Sequence, residues 1–154
     1  MSVVRFFAPE NRLGAAIAQA GGKLVETAIA DADEQILMAA DETKLMIDAC
    51  LDQVFSLAAK GANTRLAQLY QAVREVAGLA GLVDLSDLGA AAHTFCNQIE
   101  LAMQKGALSE EQIQVNLGSL RLLRQPERFS EPERKALLDN LQAVLDKALK
   151  TAAA

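Results

Sequence analysis

Residues 69–81 read LYQAVREVAGLAG: apolar side chains at helical spacing, with two glycines close to the end. Alanine, used freely around them, would be more stable, because a glycine inside a helix costs about 1 kcal/mol relative to alanine. Either the helix is ending at Gly78 and Gly81, or something must come close to its backbone. With Leu66 at zero and about 100° per residue, Leu66, Leu69, Tyr70, Val73, Val76, Ala77 and Ala80 form one stripe centred near −20°. Arg74, Gly78 and Gln71 fall at about 80°, 120° and 140°, all outside that stripe. Gly78 therefore stands one turn above Arg74 on the solvent side and removes bulk beside an exposed guanidinium. Gly81 borders the turn GLVD and reads as an ordinary stop. For Gly78, spacing leaves both readings open: fraying towards that turn, or room for an approaching surface.

The same periodicity extends in both directions. Asn63 or Thr64 caps the Leu66 helix, and Lys60-Gly61 closes a helical region over 25–60, read as one long helix or two. Its apolar set is Ile36, Ala40, Ile47, Cys50, Leu51, Val54, Leu57 and Ala58. Asp84 or Ser86 caps the next helix, whose buried face is Leu85, Leu88, Ala92, Phe95, Cys96, Ile99 and Met103, and Lys105-Gly106 ends it. SEEQ at 109–112 and SEPE at 130–133 have the form of capping boxes. They open helices through Ile113, Leu117, Leu120 and Leu123, and through Leu137, Leu138, Leu141, Val144, Leu145 and Leu149. Met38, Met46 and Met103 read as core filler. Towards the N-terminus, Ser2–Phe7 is short and β-prone with Pro9 closing it, and a short helix over Leu13–Ala20 stops at Gly21 and Gly22. Short connections favour antiparallel neighbours. The expectation is an all-α, up-and-down four-helix bundle over 35–125. Residues 1–34 form an N-terminal extension with a short helix, and 126–154 a C-terminal helix packed on the bundle, within a single domain overall.

Composition agrees and limits function. Of 154 residues 51% are hydrophobic but only 4% aromatic, without Trp, which suits helices rich in Ala and Leu. A net charge of −5 argues against a nucleic-acid backbone as partner. The start lacks the apolar core of a signal peptide, and no run is long enough for a membrane span, so a cytoplasmic setting with free thiols at Cys50 and Cys96 is expected. One His and two distant Cys give no metal-ligand spacing, and neither a phosphate loop nor a nucleophile elbow occurs. No cofactor or metal is expected. Acidic pairs such as Asp31/Asp33 and Glu110/Glu111 read as solvated helix faces. The basic cluster Arg121, Arg124, Arg128 reads as pairing with nearby carboxylates.

LYQAVREVAGLAG followed by LVDLSDLGAAAHTFCNQIE resembles the central helical hairpin of the histidine phosphotransfer (HPt) domains of bacterial two-component phosphorelays. That family's motif is a phosphoacceptor His, two variable residues, Lys and Gly, then a small-residue turn and a second helix with leucine-type spacing. The corresponding run here is Arg74-Glu75-Val76-Ala77-Gly78. In the family the glycine opens space beside the imidazole for a docking receiver domain, and Gly78 matches it. Arg74 stands at the acceptor position and Ala77 at that of the Lys. Phosphotransfer needs a neutral imidazole nitrogen as nucleophile, and a guanidinium has no free lone pair to offer.

The resemblance thus implies a degenerate, HPt-like signalling protein, not an enzyme. It would bind a response-regulator receiver domain or a histidine kinase without relaying phosphate at the usual site. Arg74, Gly78, Gln71, Glu75 and Ala77 would make the partner surface, with Ala91 and Asn97 from the neighbouring helix. The alternative is a structural or oligomerising bundle, with Gly78 allowing close helix approach in a homodimer. A further alternative is phosphotransfer through His93, the single imidazole. It lies about 80° from Leu85, at the edge of its helix's apolar stripe. That position suits a boundary histidine with an ordinary hydrogen bond, or a displaced phosphoacceptor.

Overall fold

The computed structural model describes residues 25–153, which contain five α-helices and no strand. They are α1 (Val25–Ala59), α2 (Leu66–Ala80), α3 (Ser86–Lys105), α4 (Glu110–Leu123) and α5 (Glu131–Ala153), with single 3-10 turns at Ala62–Thr64 and Pro126–Arg128. The protein is all-α. The β-prone run and short helix expected before residue 25 lie outside the described residues. The region 25–60 is one helix of 35 residues, not two. The chain divides after Leu37 into two compact units. Residues 25–37 belong to the first; none of them is buried, and Ile36, counted above among core positions, is 65% exposed.

In the second unit the core is drawn from every helix: Ile47, Leu51 and Val54 of α1, Leu69, Val73 and Val76 of α2, Leu88, Phe95 and Ile99 of α3, Leu120 and Leu123 of α4, and Leu141 of α5. Each such side chain taken fully out of water contributes about 1.5–3 kcal/mol. Helix α3 lies at the centre, packing on α2, α4 and α5. It can do so because its buried residues, from Gln98 round to Gly89, cover about half of its circumference, the small Gly89, Ala91, Ala92 and Ala102 among them. Met38, Met46 and Met103 contradict the reading as core filler, being 54%, 55% and 46% exposed. Met38 and Met46 fall beyond the buried arc of α1, whereas Met103 lies at an angle within that of α3 but in its last turn; an unbranched thioether is tolerated in such places.

Side-chain pairs set the helix directions. Tyr70 meets Glu100 while Ala80 approaches Gly89, so α2 and α3 are antiparallel. Gln98 meets Asn116 across the short 106–109 connection, reversing the chain again. Arg134 Nε donates to Asp87 Oδ2 at 2.7 Å, which brings the starts of α5 and α3 together. Arg124 Nη2 donates to Asp48 Oδ2 at 2.8 Å, and Arg121 lies 4.9 Å from the centroid of Phe55, so α4 runs against α1. The carboxylate pairing expected of the basic cluster is therefore realised by Arg124, whereas Arg121 takes an aromatic face.

The helix ends show where local chemistry decides. Gly61 (φ 100°) and Gly106 (φ 149°) close α1 and α3 in conformations that only glycine adopts readily. Ser109 and Gln112 form the expected capping box, with Ser109 Oγ accepting from Gln112 N–H at 3.1 Å and Gln112 Oε1 accepting from Ser109 N–H at 2.8 Å. At α5, Ser130 N–H and Oγ–H both donate to Glu133, at 2.8 and 2.6 Å. These bonds hold the Glu133 carboxyl below its usual range, the hydroxyl contributing most.

Other caps differ from expectation. Arg65, not Asn63 or Thr64, precedes α2, with no side-chain cap. Asn63 instead accepts from Leu108 N–H and donates to Leu108 C=O, both at 2.9 Å, clamping a loop 45 residues away. Leu85 precedes α3, so neither Asp84 nor Ser86 caps it. Gly81 does end α2, but at φ −68°; the left-handed residue of that turn is Asp84 at φ 51°, a residue type that tolerates it.

Candidate functional site

The buried side chains of α2 are Leu69, Ala72, Val73, Val76, Ala77 and Ala80. Their mean direction is about −50° on the scale used above, displaced from −20° because Ala72 joins the buried set while Leu66 and Tyr70 do not, and Gly78 at about 120° is almost opposite. Gly78 is exposed, and a Cβ built on it would meet nothing within 4 Å. Gln71, Arg74 and Glu75 are exposed on the same side. Arg74 has no ion pair or side-chain hydrogen bond with any described residue.

Two flanking contacts orient this face. Towards α3, Tyr70 Oη–H donates to Glu100 Oε1 at 2.7 Å. That bond raises the Tyr70 phenol above its ordinary value, with burial and the Glu100 charge adding and the nearby Arg74 charge opposing. Burial first, and then the Glu100 carboxylate, push the Cys96 thiol up to about 11, again against Arg74. Arg74 thus stands beside Tyr70 and Cys96, and the Tyr70 phenol occupies an oxygen of Glu100, the acid on that flank. Towards α1, Cys50 Sγ–H donates to Glu75 Oε2 at 3.7 Å. Burial and then Glu75 raise the Cys50 thiol as well.

Two residues assigned to the surface are not on it. Ala77 is 7% exposed and Ala91 1% exposed, because both face the α2–α3 seam. The seam is narrow there: a Cβ at Gly89 would meet Ala80 Cβ at 3.5 Å and the Ala77 carbonyl at 3.7 Å. Close backbone approach, considered for Gly78, occurs at Gly89. The Tyr70–Glu100 and Ala80–Gly89 pairs fix the register, which puts Arg74 level with Cys96 and Gly78 level with Ala91 and Ala92. His93 and Asn97 are exposed on α3 beside these levels. His93 makes no hydrogen bond to a described residue, so the ordinary partner expected for it is not found.

The exposed set is therefore Gln71, Arg74, Glu75 and Gly78 on α2 with His93 and Asn97 on α3. Tyr70 and Glu100 were missed as a pair. Tyr70 read as a stripe residue, and a contact between helices leaves no local signal. The face is a surface, not a pocket. One cleft of about 640 Å³ lies between the end of α3, the start of α4 and α5, lined in part by Leu101, Lys105, Ser109 and Val144. Another of about 490 Å³ lies between α1 and α4, against Phe55, Ile113 and Arg121. Neither is lined by Arg74 or Gly78. No group of three or more His, Cys, Asp or Glu among the described residues could hold a metal ion, and no helix of the described residues is long and apolar enough to cross a membrane.

No family model, curated protein or solved structure matches this chain.

Proposed function

We propose that this protein is an HPt-like signalling protein of a bacterial two-component system. It binds a receiver domain or a histidine kinase in the cytoplasm without relaying phosphate at the usual site. The observation that carries the reading is Arg74: exposed, without an ion-pair partner among the described residues, and followed one turn later by a glycine over open space. A guanidinium in that setting can reach the acidic pocket of a docked domain, and Gly78 lets the two backbones approach. A charge-assisted contact of this kind is worth about 1.5–3 kcal/mol. The protein would then compete with a true phosphotransfer protein for the same partner.

The experiment is to mix the pure protein with a phosphorylated receiver domain and follow both complex formation and the label. A complex without transferred label, weakened by Arg74→Ala or by Gly78→Leu, is the expected result. A second reading rests on the exposure of His93 on the same side of the hairpin. Label arriving on the protein, and lost in His93→Ala, would replace the first reading with phosphotransfer through that imidazole. Neither complex nor label would leave a structural bundle.

A further inference from the structure

We propose that the helical segment 25–37 is a docking element that enters an apolar groove rimmed by lysine or arginine on a partner protein. Val25, Ile29 and Ile36 are 74%, 55% and 65% exposed. Together with Ala32 they fall within about 60° of one another around the helix, at spacings of four, three and four. That is the anchor pattern of a helix laid into an apolar groove, and a contiguous run of branched apolar side chains in solvent marks an interaction surface.

The charges select the occupant. Residues 25–37 hold Glu26, Asp31, Asp33 and Glu34 and no Lys or Arg. Glu26 and Asp33, at about 100° and 80° from Val25, border the stripe along one side. A second copy packed stripe to stripe would set this acidic edge against its own counterpart if antiparallel, and against Ala28 and Gln35 if parallel, and in neither case against a cation. An anionic lipid surface or a nucleic-acid backbone would be repelled by the same edge. A groove with basic rims satisfies both features at once, the apolar floor taking the stripe and the rim taking Glu26 and Asp33. The segment shares no residue with the Arg74 face, and binding at either one does not require the other.

The test uses the full-length protein and, as probe, a fluorescent amphipathic helical peptide built of leucine and lysine, read by anisotropy at two ionic strengths. Binding that weakens with salt is expected, at least tenfold weaker both for Ile29→Gln/Ile36→Gln and for Glu26→Gln/Asp33→Asn. A control pair on the other unit, Glu127→Gln/Asp139→Asn, should bind like the parent. Equal binding by the Ile29→Gln/Ile36→Gln variant would overturn the proposal, since the peptide would then be following net charge alone. So would a concentration-dependent dimer in the parent that this variant abolishes, which would make a second copy the occupant. A lowered melting temperature in the same variant would also overturn it, because the stripe would then be covered by its own chain.

Discussion

A methyl group at Gly78 would meet nothing within 4 Å, whereas at Gly89 it would sit 3.5 Å from Ala80 Cβ. The two glycines therefore do opposite things. Gly78→Ala should raise stability by about 0.5–1 kcal/mol, because only backbone entropy changes. Gly89→Leu should lower it by about 1–3 kcal/mol, because the side chain beyond Cβ has no room in the α2–α3 seam. Urea denaturation of both variants checks the pair of signs. A stabilising glycine replacement at a position the chain leaves open is what a site reserved for a partner would show. Cys96 gives a second test at this scale. Burial raises its thiol to about 11 in the folded protein, while the unfolded thiol ionises near its ordinary value of about 8.5. Its contribution is complete below that lower value and is lost as pH rises towards the folded one, where the unfolded chain has already released the proton. The parent should accordingly lose more stability between about pH 8.5 and 11 than Cys96→Ala does, and equal slopes would refute the assignment.

At the level of elements, the α3–α4 contact carries a buried polar pair, Gln98 and Asn116, each at most 2% exposed. Asn116 Nδ2 donates to Gln98 Oε1 at 2.8 Å and to Gln112 C=O at 2.7 Å, while Gln98 Nε2 and Asn116 Oδ1 have no partner among the described residues. Asn116→Leu alone strands the Gln98 carboxamide and should cost about 1–3 kcal/mol, whereas Gln98→Leu/Asn116→Leu should cost distinctly less, since no lone polar group remains. A denaturation-based double-mutant cycle reads the difference. The same helices show what the sequence made legible. The stripe of α2, the buried face of α3 up to Ile99 and the Ser109 capping box depend on spacing within one turn or two, and all were readable. Asn63 was not, because its partner Leu108 is 45 residues away and a cap was the nearest local use for it. Met38 and Met46 misled for the same reason: periodicity marks an apolar residue but not whether a neighbouring helix is there to cover it. On α2 the exposed positions of Arg74 and Gly78 followed from angles alone. So did the burial of Ala77, a stripe residue by angle that the HPt motif assigns to the partner surface, whereas the burial of Ala91 depends on how closely Gly89 lets the two helices approach.

At the scale of the whole molecule, two surfaces of one all-helical chain are open to partners: the Arg74 face of the α2–α3 hairpin, and the acidic, apolar-striped segment 25–37. Neither lies in a cleft, so affinity at each rests on complementary charge and on the few residues that a partner can desolvate. Salt should weaken binding at the Arg74 face, and Arg74→Lys should restore only part of what Arg74→Ala loses, because an ammonium cannot reproduce the planar fork. Titration calorimetry with a receiver domain at two salt concentrations checks both. On the HPt-like function proposed above, that partner is a receiver domain, and one measurement tests it most directly. A double-mutant cycle would combine Arg74→Ala with neutralisation of an acidic-pocket aspartate of a bound receiver domain. The predicted result is a stable complex that carries no transferred phosphate and a coupling of about 1.5–3 kcal/mol between the two positions. Strictly additive effects, or no complex at all, would contradict it.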